Sequence, residues 1–132
     1  MNKKATLFTL LVVLVLAVTS SSYAAIYEDQ YFNSATISLY TYEAASFSAD
    51  TNFSVGFIRV DSCWLEKWNG SGYSYYCWLP APSDEETNTI SYESYMDFSS
   101  YIPNDGGKYR VGAYFNADNH TIRRFSNGRT FN

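Results

Sequence analysis

Both cysteines and all three tryptophans of this chain fall in one stretch, residues 62–79, S-C-W-L-E-K-W-N-G-S-G-Y-S-Y-Y-C-W-L. Its centre, Asn69-Gly70-Ser71-Gly72, is the strongest turn signal in the sequence, because Asn and Gly accept the positive φ that tight hairpin turns demand. The flanks are aromatic and suit strands. The stretch therefore reads as a β-hairpin. With Gly70 at the tip, Cys63 lies directly opposite Cys77, Leu65 opposite Tyr75 and Trp64 opposite Tyr76. Directly opposed residues at a non-hydrogen-bonded site have Cα atoms about 4.5 Å apart, within reach of a disulfide. The expectation is a hairpin closed by a Cys63–Cys77 bridge.

Strand alternation splits this hairpin into two faces. Cys63, Leu65, Lys67, Tyr73, Tyr75, Cys77 and Leu79 form the face expected to meet the core. Ser62, Trp64, Glu66, Trp68, Ser74, Tyr76 and Trp78 form the other, a mixture of large aromatics with Ser and Glu.

The start of the chain sets the expected compartment. Lys3 and Lys4 precede a nearly continuous apolar run over residues 5–18, and small residues follow, with Ser22 and Ala24 placed as a cleavage site. This is the pattern of a secretory signal peptide over residues 1–24. The run is shorter than the roughly 20 residues of a membrane span. The remaining residues, 25–132, suffice for one domain. Without the two leading lysines, seven basic residues face 13 acidic ones, a net charge of −6. That balance favours solubility and argues against nucleic acid or an anionic membrane as partner. Export also favours oxidised cysteines.

Further along, alternating apolar residues predict strands at 35–42 (Ile37 and Leu39 inward), 53–60 (Phe53, Val55 and Phe57 on one face) and 89–95. Residues 108–115 alternate most cleanly, with Tyr109, Val111, Ala113 and Phe115 inward. Residues 121–125 and 129–131 read as a last hairpin around Asn127-Gly128. Residues 43–52 are small and polar and read as a loop. So do residues 80–88, which hold two prolines and the run Asp84-Glu85-Glu86. Seven or eight short strands separated by turns, with no amphipathic helix, predict an all-β fold. A small two-sheet antiparallel β-sandwich, immunoglobulin-like or jelly-roll-like, is favoured over a closed barrel. Residues 107–115 resemble a late strand of immunoglobulin-like sandwiches, a likeness that covers one strand.

Chemistry-bearing residues are few. His120 is the single histidine, and it lies in an expected turn beside Asp118 without a nucleophile motif. One histidine and two bridged cysteines do not make a zinc site. The Asp84–Glu86 run lacks calcium-loop spacing. No catalytic residue, metal or cofactor is therefore expected. Arg123, Arg124 and Arg129 cluster on the last hairpin, either as an anion site or as charge protecting a sheet edge. The strongest lead is Trp64, Trp68, Tyr76 and Trp78 with Glu66. Rigid aromatics on one face make binding hot spots, although the same face would serve as a core contact in a sandwich. The expected function is a secreted, non-enzymatic β-sandwich that binds a cell-surface glycan or a protein through these aromatics. A secreted toxin or antimicrobial effector is the alternative, followed by a small hydrolase.

Overall fold

The structure, a computed structural model, describes residues 29–132. The segment read as a signal peptide lies outside the described residues. Every strand of the fold is organised by β2 (Ala44–Trp68), which is 25 residues long. At about 3.3 Å per residue it would run for about 80 Å if straight, far beyond the dimensions of a domain this small. It bends instead, and its ladders break register at four places. They lie at Asp50 and Thr51 against β1, between Asp50 and Val55, between Val60 and Ser62, and between Leu65 and Glu66. Each break leaves more residues on one strand than on its partner, which kinks the pair and increases its twist.

Six other strands complete the sheet, four paired with β2 and two with β5, and all pairs are antiparallel. β1 (Phe32–Leu39) and β4 (Glu85–Asp97) flank its first half, while β3 (Tyr73–Leu79) and β5 (Gly107–Ala117) flank its second. β6 (His120–Phe125) and β7 (Arg129–Phe131) pair along the far edge of β5. The result is one seven-stranded sheet, curled into a half-barrel. The connection between β4 and β5 holds one short 3-10 turn, Ser99–Tyr101.

The expected two-sheet sandwich is thus not formed, and the reason lies in residues 43–52. A loop there would have let the flanking strands part into separate sheets. Instead Ala45, Phe47 and Ala49 are fully buried, while Ser46, Ser48 and Asp50 face outward. This is a period of two written in small residues of low β-propensity. The strand therefore continues, and the sheet buries its inner face by curling on itself. Phe47 of β2 meets Phe115 of β5 edge-on at 6.2 Å, and Phe98 beyond β4 meets Phe131 of β7 at 5.8 Å. Ala45, Ala49, Ala113 and Ala117 have no exposed surface, and their small side chains let the two arms of the curl approach. Tyr109, Val111 and Phe115 complete the inner face of β5, each fully buried.

One other loop was read too long, and the strand expected over residues 53–60 was given the wrong inward residues in Phe53 and Phe57. β4 begins at Glu85, inside the acidic run, because Arg59 on β2 donates to Glu85 at 3.0 Å and draws the strand in. Phe53 stays exposed at the Asp50/Val55 break, and Val55, Ile58 and Val60 are the inward residues of that segment.

The Cys63–Cys77 disulfide is also absent, and both thiols are free. The turn explains it. Asn69 donates its amide to the Gly72 carbonyl at 3.0 Å, and its side-chain oxygen accepts from Ser71 and Gly72. The loop is then Gly70-Ser71, and Trp68 pairs with Tyr73, half a step away from a turn centred on Gly70. The break between Leu65 and Glu66 leaves Tyr76 as an extra residue on β3. Beyond it Leu65 faces Cys77 and Cys63 faces Leu79. The cysteines are diagonal neighbours, about 7–8 Å apart at Cα and past ordinary disulfide reach. Cys63 Sγ packs instead 3.8 Å from Met96 Sδ, and burial pushes its thiol up to about 12.

Candidate functional site: an aromatic lattice on the outer face

The outer face of the half-barrel, where β3, β2, β5 and β6 lie side by side, is built in cross-strand rows. Trp78, Trp64, Gly112 and Phe125 form one row in register. Toward the hairpin tip the next row is Tyr75, Glu66 and Arg110, followed by Tyr73 and Trp68. On the other side Ser62, Tyr114 and Arg123 form a row. Adjacent strands are about 4.8 Å apart, so side chains in a row touch.

Trp64 is the centre of the lattice. Its indole lies flat across Gly112, where a Cβ would come within 2.5 Å of the ring. It meets Trp78 at 5.7 Å, Phe125 at 6.0 Å and Tyr114 at 5.6 Å, and only 8% of it is exposed. Its Nε1 donates to Glu66 Oε2 at 2.9 Å. The other oxygen of Glu66 accepts from Arg110 Nε at 2.9 Å and Nη2 at 2.7 Å. The Arg110 guanidinium sits 4.1 Å from the Phe125 ring centre and 4.5 Å from that of Tyr73. Arg suits this position because its planar group stacks on rings while its edge donates to a carboxylate. One carboxylate therefore locks a tryptophan and a stacked arginine, and the aromatic rows are fixed before any ligand arrives.

Above this base stand the accessible rings. Trp78 is 59% exposed and Tyr75 57%, and the two rings meet at 5.7 Å. Tyr114 and Trp68 are each 37% exposed. Lys108 holds its ammonium 5.1 Å from the Trp68 ring, and Arg123 stacks at 5.4 Å on Phe125. The rim is thus cationic and the centre apolar.

The residues singled out from sequence take different places. Trp78 and Trp68 lie on this surface, and Trp64 and Glu66 lie beneath it as support. Tyr76, the extra residue of the bulge, turns to the inner side. There it packs on Tyr109 at 5.4 Å, beside the Lys67 ammonium. Tyr75 takes the outer position expected for Tyr76. Tyr114, Phe125 and Arg110 were not singled out. The inward alternation of Tyr109, Val111, Ala113 and Phe115 already implied that Arg110, Gly112 and Tyr114 face outward together. Arg123 and Arg124 alternate across the edge strand β6, and Arg129 donates to the Leu39 carbonyl at 3.4 Å. His120 stacks on Tyr31 at 4.7 Å, and Asp118 accepts the Gly56 and Phe57 amides. Asp84 accepts from Ser94, and Glu85 pairs with Arg59.

Among the described residues no group of three or more His, Cys, Asp or Glu side chains is arranged to hold a metal ion. No helix among them is long and apolar enough to cross a membrane. No family model, curated protein or solved structure matches this chain.

Proposed function

We propose that the outer aromatic lattice is a saccharide-binding surface and that the protein acts by binding rather than by catalysis. This differs from a disulfide-closed sandwich hairpin that binds on its own, a reading overturned by the free thiols and the single curled sheet. The surface is composite, with β3 supplying the exposed rings and β2, β5 and β6 the base. One observation carries the reading. Trp78 and Tyr75 are more than half exposed, yet they stand on a base already fixed by Trp64, Glu66 and Arg110. Exposed rings held rigid lose little entropy on binding. Their flat apolar faces match the C–H faces of pyranose rings, and Ser62, Arg123 and Lys108 at the rim suit hydroxyl and carboxylate groups.

Affinity electrophoresis against neutral and acidic polysaccharides, followed by calorimetry on the retarding one, tests this. Trp78→Ala is expected to abolish retardation while changing unfolding free energy by less than about 1 kcal/mol, as for an exposed site. Retention of binding by Trp78→Ala, or no retardation by any polysaccharide of the panel, would refute it.

A further inference from the structure

The strands that build the aromatic lattice differ in charge from the rest of the molecule. Over the whole chain, 13 acidic residues outnumber nine basic ones. β4 carries Glu85, Glu86, Glu93 and Asp97 and no Lys or Arg. β3, β5, β6 and β7 contain no Asp or Glu, whereas β5, β6 and β7 carry Lys108, Arg110, Arg123, Arg124 and Arg129. Positive charge is gathered on one arm of the sheet, against the sign of the chain's net charge.

The lattice rows hold one carboxylate, Glu66, and both its oxygens are occupied by Trp64 and Arg110. Lys108 and Arg123 are exposed and belong to none of the salt bridges among the described residues. Ring faces hold them instead, Lys108 against Trp68 and Arg123 against Phe125. A ring positions a cation through its quadrupole and carries no net charge to cancel it, so both cations remain able to meet an anion. They stand at opposite ends of the rows. Lys108 and Tyr114, the cross-strand partner of Arg123, are six residues apart on β5, about 20 Å at the rise of a strand. The rows of Tyr75 and Trp78, the most exposed rings of the lattice, lie between them. That span is several times the width of one sugar ring, so a single acidic sugar cannot reach both cations.

We propose that the lattice binds a linear acidic polysaccharide, with uronate carboxylates at Lys108 and Arg123 and sugar faces on Tyr75 and Trp78. This rests on the saccharide reading above and narrows it to polyuronates.

Affinity electrophoresis through polygalacturonate, and through the same polymer with its carboxyl groups reduced to alcohols, separates the two claims. The protein is expected to bind polygalacturonate about tenfold more tightly than the reduced polymer. That advantage should vanish in 1 M sodium chloride, where the Debye length is about 3 Å. Arg123→Gln and Lys108→Gln should each shrink it about two- to fivefold, as for loss of an exposed ion pair. Arg124 pairs with Ala113 and so projects from the other side of β6. Arg124→Gln makes the same charge change off the lattice and should leave the advantage as it is. All three side chains are exposed, so these variants should unfold at the wild-type denaturant midpoint. Trp78→Ala should lose both polymers. Equal binding of the two polymers, with both dependent on Trp78, would overturn the acidic assignment while the saccharide reading stands. So would an advantage reduced as much by Arg124→Gln as by Arg123→Gln, or binding of neither polymer by a protein that a neutral polysaccharide retards. Polygalacturonate binding that survives Trp78→Ala would overturn both readings, because charge alone would then hold the polymer.

Discussion

Gly112 is the position where the aromatic lattice is most exposed to a single atom. An added methyl would lie 2.5 Å from the Trp64 indole, about 1 Å inside contact distance. The Gly112 backbone has ordinary φ, since the glycines of positive φ are Gly70, Gly106 and Gly107. Alanine is therefore conformationally acceptable there and, absent the indole, would stabilise by about 0.4–1 kcal/mol through the unfolded chain. With the indole present, displacing it costs about 1–3 kcal/mol of overpacking strain. Moving Trp64 also costs its hydrogen bond to the Glu66 carboxylate, about 1.5–3 kcal/mol for a charged acceptor. The net expectation for Gly112→Ala is a loss of about 1.5–5.5 kcal/mol. In a Trp64→Ala background the same substitution should be neutral or stabilising. Urea denaturation of the wild type, both single variants and the double variant gives the coupling directly. A Gly112→Ala cost that is equal in both backgrounds would refute the close-approach argument, and with it the account of how the lattice is held.

Two further expectations concern titration and thiols. The native protein should take up alkylating reagent slowly at Cys77 and not at Cys63, and the denatured protein should take up two alkyl groups without reductant, as intact mass would show. Burial holds the Cys63 thiol and the Tyr92 phenol neutral up to about 12, against ordinary values of 9.0 and 10.0. Between those limits the unfolded chain loses protons that the folded one keeps. Stability is therefore fully present below about pH 9 and falls as pH rises toward 12. Unfolding free energy measured across that range should fall less steeply in Cys63→Ala.

The parts of the fold that were legible in sequence share a property. Where large apolar residues alternate with polar ones, as in Tyr109, Val111, Ala113 and Phe115, the buried face of β5 follows directly. Where the inward residues are alanines, as at Ala45 and Ala49, the same alternation carries little hydrophobic contrast and reads as loop. That one segment decided between two sheets and one. The hairpin shows a different limit. Its turn residues were evident, but register depends on whether the loop is centred on a residue or between two. The break beside Leu65 then shifts the pairing again, so both the disulfide and the choice between Tyr75 and Tyr76 were lost together. A bulge is set by the twist that β2 needs to follow the curl, which is a property of the whole sheet and leaves no mark on the local sequence. Trp78 was legible as a candidate because its neighbours in chain order fix its face, whereas Phe125 and Arg110 reach the lattice only through pairing across β5.

The length of β2 has a consequence for how the molecule folds. Four of the six ladders, those with β1, β3, β4 and β5, include this one strand. Two of them are short-range, joining β2 to its immediate neighbours in the chain, and can form as local hairpins within microseconds. The ladder with β5 joins residues as distant as Ile58 and Ala117, and closing that loop must be offset by contacts that appear only once the curl is complete. The hairpins therefore gain their hydrophobic partner late and together. No subset of strands that omits β2 retains more than the β5–β6–β7 edge, so partial opening has few intermediate stopping points. A single peptide-bond cleavage near the middle of β2 would divide the hydrogen-bonded scaffold itself rather than trim a loop from it.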